Sequence, residues 1–298
     1  MAILYFLLFL SVFIDTFKNG YYNFFGKNLL KTNGDTVMFN VICCIGSVIF
    51  FGAAVFIMGE SIIVSPFSFL LSIAFAAVTV AAQYFGLLSM NLGPMSFSVL
   101  FTYLSAMIPT VFGCIYRSEL PQIQQVIGLI LMIITFILSV DLSENSGMSL
   151  KWILVVAGSF IGMGMIGVFQ TIHQVSEYKA EINGFLFWAF VFSFIMFYLL
   201  YIPYMIKKKK ENKKREKYSL KDWMLMLITG IIIGAINLIN LYLSGAMPSV
   251  IFFPIVNGGV IVLSGLASLL VFKEKLSPKK LTGLIIGIIA TCLIGIEL

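Results

Sequence analysis

The chain has 298 residues, 60% of them hydrophobic and only 11% charged, with a mean hydropathy of +1.04 and a formal net charge of +6. A soluble domain carries about 25% charged residues, so the composition excludes one and places the chain in a lipid bilayer. Its apolar runs are continuous over about 20 residues, the length that crosses ~30 Å of hydrocarbon as a helix, and a β-barrel would instead alternate over about 10. The expected fold class is all-α integral membrane, with ten transmembrane helices and short joints.

The opening Met1-Ala2-Ile3-Leu4-Tyr5 has no basic region and no small-residue cleavage site after it, which argues against a removed signal peptide. Helix 1 starts near Ile3, stays apolar to Ile14, then carries Asp15, Lys18, Asn19 and Asn23 before Lys27 and Lys31. If it runs on to about Leu30, those polar residues lie at mid-membrane depth. Helix 2 covers Thr36 to Met58, and the Gly59-Glu60 turn leads through Pro66 into helix 3, which ends near Met90. After the Asn91-Leu92-Gly93-Pro94 turn, helices 4 and 5 form a hairpin reaching Val140. Asp141 to Ser149 is a polar break close to half-way and marks the boundary between two domains, 1–145 and 146–298. Helix 6 starts near Leu150 and carries Gln170, His173 and Gln174 towards its watery end. Helix 7 runs from Asn183 to Ile206, the basic loop from Lys207 to Asp222 follows, helix 8 reaches Ser244, and helices 9 and 10 form the last hairpin, Pro248 to Leu298.

Five helices, a break and five helices put the second half into the membrane from the opposite side, the inverted-repeat plan of many transporters. Two stretches carry the repeat. Arg117-Ser118-Glu119-Leu120-Pro121 is followed by Gly128, and Phe272-Lys273-Glu274-Lys275-Leu276-Ser277-Pro278 by Gly283, each glycine nine residues after its glutamate. Loops after odd helices hold sixteen Lys and Arg against two after even helices. By the positive-inside rule the loop 207–222 is cytoplasmic and both termini lie on the opposite side of the cell membrane.

In this layout and these two motifs the chain resembles the EamA-type transporters of the drug/metabolite transporter superfamily. The resemblance implies alternating access around a central cavity lined by helices 1, 3, 4, 6, 8 and 9, with helices 5 and 10 bracing the periphery. It implies a small-molecule substrate such as an amino acid, a sugar or nucleotide derivative, or a drug-like compound.

An ionised side chain at the bilayer centre costs about 2.5 to 3.5 kcal/mol on insertion scales. Asp15 and Lys18, three apart on one helix face, either neutralise each other or face the cavity, Lys18 meeting an anionic substrate group and Asp15 an amine or a proton. Gln170, His173 and Gln174 share a face for substrate contact, and His173, the only histidine, has the unperturbed pKa of about 6.5 that suits a proton relay. Gln83 and Tyr84 on helix 3, Tyr103 on helix 4, Asn237 and Asn240 on helix 8 and Asn257 on helix 9 are either hydrogen-bonding glue between helices or substrate contacts. Pro109, Pro203 and Pro254 interrupt apolar runs. The candidate hinges are Pro109 and Pro254, the latter with Gly258 and Gly259 as a hinge or an opened backbone turn. Gly158-x3-Gly162, Gly230-x3-Gly234 and Gly283-x3-Gly287 permit close packing, the last of them in a dimer if not in the monomer. Cys43, Cys44, Cys114 and Cys292 are small packing residues without metal spacing.

Function classes separate on these features. The expectation is a secondary transporter of a small polar metabolite, as monomer or homodimer, coupled to a proton, an ion or exchange. A flippase for a lipid-linked sugar is the alternative within transport. An enzyme is not expected, since there is no His-Glu-x-x-His helix and no serine–histidine pairing with a third member. A structural membrane protein would seal Asp15 against Lys18 in a dry interior. No P-loop and no cofactor motif is present, and the basic loop lacks the aromatic residues and fold of a nucleic-acid site. It suits retention in the cytoplasm and anionic lipid headgroups. Glu119 and Glu274, beside basic residues at turns, are expected to be solvated caps of helices 5 and 10.

Overall fold

A computed structural model describes residues 2–30, 32–92, 95–139, 149–210, 218–270 and 277–295. Lys31, the Gly93-Pro94 turn, the break from Asp141 to Gly147, the basic residues Lys213 to Lys217 and the Lys273-Glu274-Lys275 motif lie outside the described residues. Every element is helical: α1 (Ala2–Asn28), α2 (Asn33–Met58), α3 (Pro66–Leu92), α4 (Met95–Leu104), α5 (Met107–Tyr116), α6 (Ile123–Ser139), α7 (Leu150–Val175), α8 (Ile182–Lys210), α9 (Leu220–Ala246), α10 (Ser249–Leu270) and α11 (Pro278–Gly295). Among the described residues eight segments are long and apolar enough to cross a membrane, and Leu100–Tyr116 and Ile123–Leu138 are shorter apolar helices. This is a multi-pass membrane protein, and each of the ten expected spans has its helix.

The fourth span differs from expectation by being broken at Ser105 and Ala106. Pro109, third in α5, has no N–H for the Ser105 carbonyl, and its ring crowds that carbonyl. The chain tightens to three-residue bonds there, from the Ile108 N–H to the Ser105 carbonyl at 3.1 Å and from the Ala106 N–H to the Tyr103 carbonyl at 3.3 Å. Pro254 behaves otherwise. It is the sixth residue of α10, and the helix runs unbroken from Ser249 to Leu270, so the opened backbone turn expected around Gly258 and Gly259 is absent.

Helix ends explain the remaining boundaries. Thr32 and Asp35 form a reciprocal capping box at α2. Gly59, at φ 67°, takes the left-handed conformation that ends α2. Ser219 and Asp222 exchange the same pair of bonds before α9. Pro66 and Pro278 open α3 and α11, where a missing N–H costs nothing.

Two compact units are present, and their borders fall inside α1, α3 and α9 and at the end of α7. The first comprises Met1–Thr16, Ala81–Val175 and Asn240–Leu298. Within it α6 lies along α11, and a methyl group at Gly128 would come within 2.7 Å of Ile294. Gly287 faces Thr135 and Val262, Gly162 faces Ala82, and Gly164 and Gly167 admit Ile108 and Pro109 of α5. The second unit comprises Phe17–Val80 and Ser176–Ile239. There Phe51 of α2 stacks at 5.8 Å on Phe190 of α8, and α2 meets α9 backbone to backbone. A methyl group at Gly46 would run into the Leu227 carbonyl and one at Gly230 into the Cys43 carbonyl, while Ser47 Oγ donates to the Gly230 carbonyl at 2.7 Å. Cys43 is buried in this contact and Cys44 beside it in sequence is also buried, whereas Cys292 is exposed rather than packed.

Overpacking of this kind costs typically about 1–3 kcal/mol. Gly230→Ala is therefore expected to lower the midpoint of thermal unfolding in detergent by several degrees, followed by reaction of Cys43 and Cys44 with a thiol dye. Gly20→Ala, where nothing lies within 4 Å, should leave it unchanged or raise it. An equal response from both would remove the crossing from the account.

Candidate substrate site

The two faces of α1 are distinguished by burial. Phe6, Phe9 and Phe13 are each more than half exposed and form the side that meets lipid, whereas Leu8, Ser11 and Val12 are buried. Helical spacing puts Asp15 one turn beyond Ser11 on the buried side, near the middle of α1. Ser11 donates to Asn240 Oδ1 of α9. Val12 lies against α10, where a methyl group at Gly259 would come within 3.1 Å of it. Asp15 is within electrostatic reach of Tyr103 in α4, whose ring packs at 5.9 Å on Phe136 of α6. Gly258 abuts the Met132 side chain, also of α6. Thus α1, α4, α6, α9 and α10 meet around Asp15, Tyr103 and Asn240, each of them half-buried. A carboxylate, a phenol and an amide are the groups that would hold a polar solute by charge and hydrogen bonds.

Asn257, also half-buried, lies two residues before Gly259, and its Nδ2 donates to the Phe253 carbonyl at 3.0 Å. Asn237, in the second unit, does the same to Ile233 at 2.9 Å. Both amide nitrogens donate within their own helices, whereas Asn240 takes a hydrogen bond from another helix, at Ser11. Lys18 is half-buried and Asn19 exposed where α1 continues into the second unit. Gln83 and Tyr84 are half-buried on α3, Tyr84 at 6.2 Å from Phe85, where Ser159 of α7 donates to the Ala82 carbonyl at 3.2 Å.

Gln170, His173 and Gln174 form a separate group, and the expected watery position is corrected. They are 5%, 0% and 9% exposed, with Gln174 Nε2 at 3.1 Å from His173 Nδ1. The reason is Gly245, whose lack of a side chain lets the end of α9 close onto Gln174.

The motif at Arg117 is corrected in the same way. Glu119 is 18% exposed and accepts from the Ser249 N–H at 2.8 Å. It therefore caps α10, not the helix that follows it. That helix, α6, is served by Gln125, which accepts from the Gln122 N–H at 2.9 Å. Sequence reasoning passed over Ser11, and it singled out Arg117 and Glu119 without finding their partners on α9 and α10. The signal for Ser11 was its spacing of four from Asp15.

The elements held by this motif, α9 and α10, fall in the stretch that bears on the family, since residues 150–296 match the model of the EamA-like transporter family. The second half of the chain therefore belongs to that family, within the drug/metabolite transporter superfamily. No curated protein matches the sequence. One protein of known crystal structure aligns with 97% of this transporter and 96% of its own chain, with a TM-score of 0.74 and 11% identity, a likeness that shows the fold alone. The family makes this chain a membrane transporter for a small molecule.

Hydrogen bonds between membrane helices contribute about 0.6 kcal/mol on average and up to ~1.7. A double-mutant cycle of Ser11→Ala and Asn240→Ala, read by thermal unfolding in detergent, should give a coupling in that range. Strictly additive effects would show that the pair contributes nothing.

Proposed function

We propose that this transporter is secondary-active and moves a small polar metabolite by alternating access between two inverted five-helix repeats, residues 1–145 and 146–298. The observation that carries the proposal is Asp15, a half-buried carboxylate at the centre of a spanning helix, facing away from the exposed phenylalanines and beside Tyr103 and Asn240. Substrate contact is assigned to Asp15, Tyr103, Asn240 and Asn257, with Gln83 and Tyr84 as outlying members. Asp15 is also the group through which a proton or a cation would couple. Burial of Gln170, His173 and Gln174 favours a packing role for that group over a proton relay. The sixteen-to-two bias of Lys and Arg supports a cytoplasmic loop 207–222 and termini on the other side of the cell membrane. Gly287 is buried against its own chain, which favours a monomer over a dimer through α11.

Counterflow into proteoliposomes over a broad panel of amino acids, sugar derivatives and nucleotides should find saturable uptake of at least one class. Asp15→Asn should then lower kcat/KM about tenfold or more, the factor that a lost charge-assisted contact of ~1.4 kcal/mol gives. No saturable uptake of any compound would sink the function, and full activity of Asp15→Asn would sink the site.

A further inference from the structure

Arg117 closes α5 and Glu119 follows, with Ser118 between them at φ 54°, a left-handed conformation that serine rarely adopts. This turn aims both side chains at the joint between α9 and α10. Arg117 Nη1 donates to the carbonyls of Ser244 at 3.0 Å and Met247 at 2.9 Å, and Nη2 to that of Gly245 at 3.3 Å. Its Nε is 2.9 Å from Glu119 Oε1, and Glu119 Oε2 accepts from the Ser249 N–H at 2.8 Å. A cation thus sits at the negative end of α9 and a carboxylate at the positive end of α10, each neutralising the other while less than a fifth exposed.

The contact carries opposing costs. Ser249 is fully buried, and its hydroxyl oxygen has no hydrogen-bond partner. It lies against Gly113 of α5, where any side chain would collide with it. A buried unsatisfied hydroxyl and a left-handed serine both favour opening, while five charge-assisted bonds favour closure. Such a balance suits a contact that opens and closes during function.

We infer that Arg117 and Glu119 form a latch, closed in this structure, that releases the α9–α10 joint in the opposite access state, where water reaches Ser249. The inference rests on the alternating-access proposal. It makes the pair positioning residues, since α9 carries Asn240 and α10 carries Asn257.

The test uses the full chain in detergent and a membrane-impermeant maleimide, with sites resolved by peptide mass spectrometry. Met247→Cys reports the joint, where Met247 is 3% exposed. Ala267→Cys reports the far end of α10, eighteen residues beyond Ser249 and so ~27 Å away. Glu119→Gln and Arg117→Gln should each speed labelling at the joint about tenfold, as loss of a charge-assisted bond implies, and slow labelling at the far end. Unchanged labelling at the joint overturns the latch. So does faster labelling at the joint without a fall at the far end, which is the signature of a static brace that frays. If the native Cys43 and Cys44 label in step, the variant has unfolded, and Arg117→Lys, which keeps the charge without the fork, is read instead. Unfolding of that variant too makes the pair structural and overturns the latch. No substrate enters this assay. Reciprocal labelling with no transported compound would keep the latch and sink the metabolite transporter, and the reverse pattern would do the opposite.

Discussion

Hydrocarbon offers no partner to a backbone amide or carbonyl, so a place where a helix tightens or stops away from water must be satisfied from within the chain. This constraint governs the polar contacts at the breaks and ends of several helices. At the watery ends Thr32 with Asp35 and Ser219 with Asp222 satisfy the first amides locally, by side chains three residues apart. The break before Pro109 meets it by shortening its bonds. At the end of α9 no local group serves, and the freed carbonyls of Ser244, Gly245 and Met247 are met by Arg117 from nearly 130 residues away in sequence. Arginine suits that task because its planar fork supplies several donors at fixed angles and stays charged.

Since lipid tails are as apolar as leucine, helix pairing rests on close approach rather than on exclusion of water. Gly46 and Gly230 bring α2 and α9 into backbone contact in one unit, and Gly128 and Gly287 bring α6 to α11 in the other. These seams fix helix rotation, and rotation decides which polar residues turn inward. On α1, Gly259 of α10 seats Val12, so that Ser11 and Asp15 face inward and Phe6, Phe9 and Phe13 face lipid. The placement of Asp15 is thus a consequence of packing one turn earlier in its helix.

The ten spans were legible because a span needs only length and hydropathy, both local properties. Asp15, Tyr103, Asn240 and Asn257 were legible as polar interruptions of apolar runs, and the structure brings Asp15 within electrostatic reach of Tyr103 and joins Ser11, one turn before it, to Asn240. What a sequence does not display is the partner of a group whose contact lies far along the chain. Glu119 stands at the right distance to cap α6, and hydropathy offers nothing to prefer Ser249. The choice is made by the left-handed Ser118, a conformation serine does not advertise. His173 was misplaced for a related reason: three polar residues at a helix end suggest water, unless a glycine on another helix, here Gly245, closes the space.

The interval from Glu119 to Gly128 acquires a physical meaning from these contacts. Both residues lie in the first half of the chain and both act on the second half, the glutamate on the start of α10 and the glycine on Ile294 and Ala290 of α11. Nine residues is the separation between a turn that caps one helix and the first close crossing with the next. The spacing therefore records how one hairpin grips another, and it is silent on what is carried. A substrate would be recognised elsewhere, by groups that the grip leaves partly open, and Asp15 is the one among them whose charge most needs a reason to be there.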